Sequence, residues 1–542
     1  MAKNYRLTHC SGWRFLTEMK RAKNTQKCEF RPLFIIFGLY CLAYFLLLLN
    51  KAGFYWDDYF LHNHAAEDIL KKFNYAGLPY FAYIHSFMGS LGNGIFPYRV
   101  GIFLVYLLSG IFLYYILSTV KGLSKNTISV ITLIFLLLPV NNARIALIDF
   151  PYGLCLCLFF LAFWLLTQYL KKPTILSRIL ILTIFFCSFL TNSLLIFYAI
   201  PLLYICYFSV FEFANTGESC KNWGSCFVKN FNMLFQRYGD FILLPIVFFI
   251  LKNTYYNSHG YNTIVPLKIL CNLIYSIKTS ICKPMVDLIL AAGSHPFGLI
   301  FLVFLVMYLN FFKIVQVPKK QIWLWMALGI LFWVLAVFPY AAVNKIPDPG
   351  SFESRHMLLI PLGFSFMVYA FFLLLAKIDT DVATGMCIVF IASCIVKNID
   401  DQVFFLKDWF YQVALEENYK TNAFLRNYTT FIFHSDVAWV NRRTINFCEH
   451  TVRLKNVFGD QTRLMVTDRA ELVRLKQEQH NTTMSYCFYE DWNYSKPINI
   501  YAMTTPIDFN GSYFVKMLTL MYEDDVLFRA EAKKLLHVTT QA

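Results

Sequence analysis

Long apolar runs separated by short polar segments occupy most of residues 32–396, and this pattern predicts membrane-spanning helices. A bilayer core about 30 Å thick needs roughly 20 apolar residues per helix, and fewer where a helix packs among others. Ten runs fit this rule: residues 32–49, 99–120, 127–140, 150–170, 178–211, 239–251, 296–312, 321–341, 356–376 and 382–396. The run 178–211 is too long for one helix, and the polar triplet Thr191-Asn192-Ser193 interrupts it. Dividing it there predicts about eleven crossings.

The distribution of positive charge predicts how these helices are oriented. Residues 1–31 carry eight Lys and Arg against two Glu, and such positive flanks stay in the cytoplasm. No small-residue cleavage pattern follows the first apolar run, so we expect a retained signal anchor. With an odd number of crossings, the loops 50–98 and 252–295 and the tail 397–542 all lie outside the cytoplasm. We therefore expect a multi-pass plasma (inner) membrane protein with a cytoplasmic N-terminus.

The tail has a different pattern, in which short β-rich runs alternate with charged segments. Residues 429–433, 463–466 and 513–521 predict strands, whereas residues 469–479 predict a helix. The expected architecture is thus a cytoplasmic segment (1–31), a polytopic α-helical transmembrane domain (32–396) and a small extracytoplasmic α/β domain (397–542).

Composition supports the membrane interpretation and excludes one class of partner. The chain is 58% hydrophobic and 15% charged, whereas soluble domains carry roughly 25% charged residues. A net charge of +15 in a soluble protein would suggest nucleic acid. Here the cations cluster at the ends of apolar runs, which is the topology signal of a membrane protein, so no nucleic-acid partner is expected.

Candidate chemistry begins directly after the first apolar run, in the segment Gly53-Phe54-Tyr55-Trp56-Asp57-Asp58-Tyr59. Its aromatic residues are typical of the membrane interface. Two interpretations of the acidic pair are open. Asp57 and Asp58 could cap a helix in a solvated turn. Alternatively, one carboxylate is held at the interface to take a proton from an acceptor hydroxyl or amine.

This arrangement resembles the GT-C superfamily of membrane glycosyltransferases, which includes protein O-mannosyltransferases, aminoarabinose transferases and oligosaccharyltransferases. The likeness covers the topology of the whole chain, but its specific motif is the short acidic segment after the first helix. It implies that Asp57 is the catalytic base, with Asp58 beside it, and that the donor is a sugar on a polyprenyl phosphate. It also implies inversion at the anomeric carbon. It names neither the sugar nor the acceptor.

A lipid-phosphate leaving group requires cations at the outer interface, to bind the phosphate and to stabilise its growing charge. Arg355 immediately precedes the apolar run 356–376, which begins at His356, and Arg144 follows the run 127–140. Any one of them could simply anchor a helix end in the headgroup region. Cations are sparse on the outer face, however, so Arg355, then His356 and Arg144, are the predicted donor-phosphate-binding residues.

No firm cofactor follows from the sequence. His62, His64 and His85 share the first outer loop with the acidic pair and could bind a divalent cation together with it. Their spacing matches no recognised ligand motif, so a metal is not favoured and no metal-binding residue is predicted.

These observations predict an enzyme that moves a sugar from a polyprenyl-phosphate donor to a cell-surface glycan, lipid or protein acceptor on the extracytoplasmic face. Two alternatives are kept. An O-antigen polymerase or ligase also uses lipid-linked sugars, but it relies on arginines in late loops rather than on an acidic pair after the first helix. A lipid or solute transporter would show internal repeats and ionisable groups at the membrane midplane.

Overall fold

The structure, a computed structural model, describes residues 31–61, 66–75, 77–92, 94–214, 223–255, 266–437, 442–443, 445–480 and 485–541. Within these ranges the chain is mostly helical and ends in a small mixed sheet. The first sixteen helices are α1 Arg31–Leu49, α2 Ala66–Tyr75, α3 Pro79–Ser90, α4 Phe96–Ser118, α5 Lys125–Leu137, α6 Phe150–Tyr169, α7 Ile175–Ser188, α8 Ser193–Phe197, α9 Ala199–Ala214, α10 Trp223–Tyr255, α11 Ile269–Ile277, α12 Lys283–Ser294, α13 Pro296–Leu309, α14 Lys319–Ala342, α15 Ile360–Leu375 and α16 Thr380–Thr421.

Six of the described helices are long and apolar enough to cross a membrane: α1, α4, the helical stretch that ends in α6, α10, α14 and α16. The bent pair formed by Pro266–Ser294 and α13 makes a seventh if it is counted as one span. Four shorter apolar helices (α5, α7, the pair α8–α9, and α15) pack among them. Large side chains such as Phe34, Phe301 and Trp323 remain more than 60% exposed, as a lipid-facing surface requires. The chain is a multi-pass membrane protein.

Each apolar run predicted from the sequence overlaps at least one helix of this bundle. The predicted interruption at Asn192 is confirmed, because α7 ends at Ser188 and α8 begins at Ser193. Thr191 and Asn192 are poor helix formers in an otherwise apolar stretch, and the chain leaves the helix where they occur.

The segment 252–295, which the sequence analysis treats as an outer loop, is largely helical. Its described part runs through α11 and α12, joined by a π-helical turn Lys278–Cys282, and meets α13 at an angle of 102°. In α11 and the π-helical turn the buried side chains are polar: Asn272 donates to the carbonyl of Ala341, and Ser280 accepts from the Trp333 indole. In α12 the apolar residues Leu288 and Ala291 are buried instead. The first part of the segment therefore packs a polar stripe against α14, while Leu270 and Ile274 face outward, as a lipid-facing surface requires.

Helix α16 is the longest described element, with 42 residues. At 1.5 Å per residue it spans about 63 Å, roughly twice the thickness of a bilayer core. Asp379 caps its first turn by accepting from the backbone N–H groups of Asp381 and Val382. The sequence-based division between residues 396 and 397 falls inside this helix, which continues from the bundle into the C-terminal region without a linker.

The C-terminal region contains β1 Thr430–Ser435, β2 Leu464–Val466, β3 Ile498–Thr504 and β4 Leu536–Gln541, in the spatial order β2-β1-β3-β4. Its helices are α17 Phe447–Phe458, α18 Arg469–Glu478, α19 Gly511–Glu523 and α20 Asp525–Lys533. Strand β1 is parallel to β2 and β3, whereas β3 and β4 are antiparallel. A buried cluster that includes Phe431, Ile500 and Phe410 joins the sheet to α16.

Two predicted strands of this region and its predicted helix are confirmed as β1, β2 and α18, but the third strand is wrong. Residues 513–521 belong to α19, which Asn510 caps by accepting from the Tyr513 backbone N–H. Met517 and Met521, four positions apart, form its buried face. This helical spacing and the cap override the β-rich composition.

The helices α14 and α15 cross with their backbones in contact. A Cβ on Gly363 would lie 2.8 Å from both the Gly329 carbonyl oxygen and the Trp333 Cα. Only glycine allows this approach, which is common in membrane helix pairs. The chain between the two helices, residues 343–359, is thereby held against the bundle.

Candidate functional site

The acidic segment after α1 forms a short 3-10 turn, Trp56–Phe60, that neighbouring elements hold in place. Trp56 has a φ of +50°, a left-handed conformation that costs a non-glycine residue on the order of 1–3 kcal/mol. Its ring is buried, stacks on Phe352 with ring centres 5.3 Å apart, and meets Phe405 of α16 edge-on. These aromatic contacts fix the position of the next residue, Asp57.

The structure separates the two carboxylates that the sequence presents as a pair. Asp58 is fully buried, and its oxygens accept from the backbone N–H groups of Tyr55 and Ile148, each at 3.0 Å. Burial raises the pKa of Asp58 to about 7, against the opposing effects of Arg99 and of the N–H donors. Asp58 therefore connects the turn to the chain before α6 by hydrogen bonds, and a large substrate cannot reach its carboxylate.

Asp57 faces open space, with 42% of its side chain exposed, and lies beside Arg355. The distance from Asp57 Oδ2 to Arg355 Nη1 is 3.6 Å, and Arg355 Nη2 lies 3.6 Å from Glu353 Oε1. Both contacts are longer than an ordinary hydrogen bond. Two residues singled out 298 positions apart in the sequence thus meet in one site.

The charges in this site change each other's protonation. Desolvation by the surrounding protein raises the pKa of Asp57 above that of an ordinary aspartate, and Arg355 opposes this shift. Burial alone would lower the pKa of Arg355, but the acids Asp57, Asp149 and Glu353 raise it. The guanidinium therefore stays charged, while Asp57 becomes a better proton acceptor than a solvated carboxylate.

Three loops are joined at this site by hydrogen bonds. The Ser354 hydroxyl accepts from the backbone N–H of Ala143 at 2.8 Å, and the Asn142 amide donates to the carbonyl of Pro349 at 3.1 Å. With the Asp58 bond to Ile148, these contacts connect the segments after α1, after α5 and after α14. Arg355 itself lies over the Phe352 ring, 3.9 Å from its centre.

Asp149 is the acidic residue that the sequence analysis missed. It is 6% exposed, and neither of its carboxylate oxygens has a hydrogen-bond partner among the described residues. It lies within electrostatic range of Arg355, Asp57 and Glu353. The available signal was an isolated acid at the start of an apolar helix, which in a membrane protein suggests a functional residue.

His356 contributes less positive charge than the sequence predicts. It is buried, its ring packs 4.7 Å from that of Tyr340, and its Nδ1 lies 2.7 Å from Glu353 Oε2 without hydrogen-bond geometry. Burial lowers the pKa of His356 to about 4 despite Glu353. At neutral pH this side chain is uncharged and can offer a ligand only a neutral hydrogen bond.

Arg144 contacts residues of α1, α4 and α16. Its guanidinium donates to the Asn398 side chain of α16 at 3.1 Å and lies over the ring of Tyr44, 3.7 Å from its centre. Tyr106 is within electrostatic range of both Arg144 and Asp149. This geometry is that of a buried arginine that joins α1 to α16, so the structure does not bring all three predicted phosphate-binding residues together.

The C-terminal region packs directly against the acidic turn. Arg443 forms a buried ion triad with Asp408 and Glu449, with both shortest contacts at 2.8 Å, and its guanidinium lies 5.4 Å from the Trp56 ring centre. Arg453 of α17 donates to the Tyr59 hydroxyl at 2.6 Å. The contacts of Arg443 with Trp56 and of Arg453 with Tyr59 could not be predicted from the sequence, because they join residues almost 400 positions apart.

Of the three loop histidines weighed as metal ligands, His85 alone lies within the described residues. His85 is buried, with its Nδ1 2.8 Å from the Tyr98 hydroxyl, and burial lowers its pKa to about 3. His62 and His64 lie outside the described residues. Within the described ranges, no three His, Cys, Asp or Glu side chains are grouped so that they could hold a metal ion.

The arrangement combines a half-exposed carboxylate, a charged arginine beside it and a buried acid without a hydrogen-bond partner, all at the ends of apolar helices. Such a site can take a proton from a neutral nucleophile and hold an anionic leaving group. Comparison with protein-family models and with curated protein sequences finds no match to this chain.

Proposed function

We propose that this protein is a GT-C-type membrane glycosyltransferase, which moves a sugar from a polyprenyl phosphate to a glycan, lipid or protein acceptor. The contact between Asp57 and Arg355 carries this proposal. A proton acceptor and an anion-binding cation lie 3.6 Å apart, at the end of a helix bundle whose outer surface is apolar enough for lipid. A donor with a lipid tail and a charged head needs this combination.

The proposed reaction uses the two residues in one displacement. An acceptor hydroxyl attacks the anomeric carbon while Asp57 takes its proton. The bond from the anomeric carbon to the phosphate oxygen breaks, and the lipid phosphate leaves with the electron pair. Arg355 stabilises the charge that grows on that oxygen. A single displacement inverts the anomeric carbon.

Contacts between loops support the eleven-crossing map. Two loops that touch on one face of the membrane must be separated in the chain by an even number of membrane spans. This rule applies to the segments after α1, after α5 and after α14, which meet at the site. Asp58 contacts Ile148 across α4 and α5, so α5 crosses together with α4 although it has only 13 residues. Ser354 contacts Ala143 across the helices from α6 to α14, where the eleven-crossing map requires six spans.

Contacts at the two ends of the bundle support the same map. At one end, Lys252 donates to the Asn192 side chain, and the Tyr340 hydroxyl donates to Ser193 at 3.0 Å. At the other end, Arg178 pairs with Asp240 at 2.6 Å. The chain from Arg178 to Asn192 therefore runs from one end to the other. We propose eleven crossings, with the site and the C-terminal region on the extracytoplasmic face.

Two substitutions separate the proposed roles. Asp57→Asn keeps the size of the side chain but cannot accept the proton, so transfer should fall by about 10²–10⁴-fold while the affinity for a polyprenyl-phosphate sugar stays near wild type. Arg355→Ala should weaken donor binding and also slow transfer. Arg355→Lys should keep more donor binding and transfer than Arg355→Ala but less than wild type, because an ammonium group lacks the planar fork of guanidinium. Donor binding and sugar transfer by protein in lipid nanodiscs measure both effects.

Asp381→Asn is the matched control, because Asp381 is exposed and pairs with Lys313 far from the site. It should leave both measurements unchanged. Wild-type transfer by Asp57→Asn would contradict the proposal and leave Asp57 a structural residue of the turn. Donor binding without any sugar transfer by the wild-type protein would favour a lipid transporter.

A further inference from the structure

A polar cavity of about 570 Å³ opens beside the acidic turn, and Trp56 forms part of its wall. Its other walls come from α12, from the chain around Gly350 and from the stretch of α16 that begins at Lys397. Its volume is within the range of small-molecule sites. Neither Asp57 nor Arg355 lines it, so it is a neighbour of the candidate site and not a part of it.

The charges in the cavity wall balance one another. The wall contains four Lys or Arg and four Asp residues. Three pairs are already formed: Lys283 with Asp348, Lys397 with Asp401, and Arg442 with Asp400. A strongly anionic or cationic ligand would gain little net attraction here and would have to displace these pairs. A neutral ligand rich in hydrogen-bonding groups would keep them.

One polar group in the wall still requires a donor. Asp401 is 5% exposed, and its Oδ2 has no hydrogen-bond partner among the described residues, whereas its Oδ1 faces Lys397. Asp287 of α12 also lines the cavity. Ionised carboxylates can only accept hydrogen bonds, so both are suited to ligand hydroxyl groups. Leaving such an oxygen buried and unsatisfied costs about 1–3 kcal/mol.

We propose that this cavity binds the acceptor, and that the acceptor presents a neutral, polyhydroxylated saccharide. This inference rests on the proposed glycosyltransferase function. A saccharide offers the hydroxyl donor that Asp401 Oδ2 lacks and a further hydroxyl for Asp287, and its apolar ring face can pack on the aromatic wall at Trp56, Phe404 and Phe405. Because Trp56 directly precedes Asp57, a sugar held here presents its hydroxyl groups close to the proposed base.

The test is capture of the full-length protein, in fluorescently labelled nanodiscs, by an array of neutral, amino and uronic-acid oligosaccharides. We expect neutral oligosaccharides to capture it, and Asp401→Asn and Asp287→Asn each to reduce this signal at least tenfold. Ala291→Trp fills the cavity from α12, where Ala291 is buried, and should abolish capture. Because Asp401→Asn could weaken folding through Lys397, the other two variants provide independent readings.

The controls separate this inference from the proposed function. Asp381→Asn, at an exposed aspartate outside the cavity, should be captured like wild type. The inference is overturned if neutral oligosaccharides do not capture the wild-type protein. It is also overturned if they capture all three cavity variants as well as they capture wild type. If donor binding and transfer still depend on Asp57, the glycosyltransferase proposal survives that result. Cavity-dependent capture by a protein that binds no polyprenyl-phosphate donor would instead overturn the glycosyltransferase proposal.

Discussion

Asp149 lies where an apolar helix begins, and the protein leaves its carboxylate without a hydrogen-bond partner in the described part of the chain. A buried acid in this state costs free energy of folding. Residues that destabilise a fold in this way are often kept for function. The neighbouring charge of Arg355 suggests that a bound substrate completes the environment of Asp149.

At the residue scale we therefore predict opposite effects on stability and activity. Asp149→Leu removes the unsatisfied oxygens and should stabilise the protein by about 1–3 kcal/mol, seen as a higher melting temperature in detergent. Sugar transfer should fall at least tenfold. The matched change Asp408→Leu, at a buried aspartate paired with Arg443, should destabilise the protein. A lower melting temperature with full transfer in Asp149→Leu would show that the acid is structural.

Sequence reasoning singled out Asp57 and Arg355, which lie together in the structure, because charged residues at the ends of apolar runs stand out. It could not find that Asp58 is closed off, because two adjacent acids look alike until their surroundings are known. Nor could it find that His356 is buried and uncharged. The Tyr340 ring that packs on this histidine lies 16 positions earlier, in α14, and their contact depends on how the chain after α14 folds back.

At the scale of elements, the docking of α17 and the preceding Arg443 onto the acidic turn depends on one buried ion triad. Arg443→Met leaves Asp408 and Glu449 buried without their cation, so we expect a loss of about 3–5 kcal/mol. Arg474 also contacts two acids, Glu471 and Glu478, but its side chain is 53% exposed. Arg474→Met should therefore cost less than about 1 kcal/mol. Denaturant unfolding of both variants measures the difference, and equal losses would contradict it.

The contact between α14 and α15 gives a second prediction at this scale. Gly363→Ala places a Cβ against the backbone of Gly329 and Trp333, which cannot move aside as a side chain can. We expect a loss of about 1–3 kcal/mol and weaker donor binding, because residues 343–359 carry Arg355. Gly385→Ala in α16 is the control, since no atom lies within 4 Å of its added Cβ. If both variants melt like wild type, the close crossing is not required.

Elements were predictable where one pattern dominates. The apolar runs became helices, and the break at Asn192 followed from local polarity. The segment 252–295 was assigned to an outer loop because it lies between the apolar runs 239–251 and 296–312. In the structure it is largely helical, and Asn272 and Ser280 face α14, a packing that depends on a partner helix.

At the scale of the whole molecule, the proposed topology of eleven crossings assigns every loop to one side of the membrane. Reporters fused after Lys172, Lys320 and Lys377 should be cytoplasmic, and a reporter after Ala542 should be extracytoplasmic. Positive-inside charge and the loop contacts around Asp58 both lead to this expectation. A cytoplasmic C-terminal reporter would remove one crossing from the map and place the C-terminal region away from a lipid-linked donor on the outer face.

The continuity of α16 with the C-terminal region determines when the site is assembled during synthesis. The acidic turn emerges early, but Arg443, which packs on Trp56, follows about 390 residues later. At 5–20 residues per second this interval lasts roughly 20–80 s. Until then the strained backbone at Trp56 lacks part of its packing. A chain released between residues 355 and 443 contains Asp57 and Arg355 but lacks the arginine that packs on Trp56, so only chains that extend past residue 443 acquire the finished site.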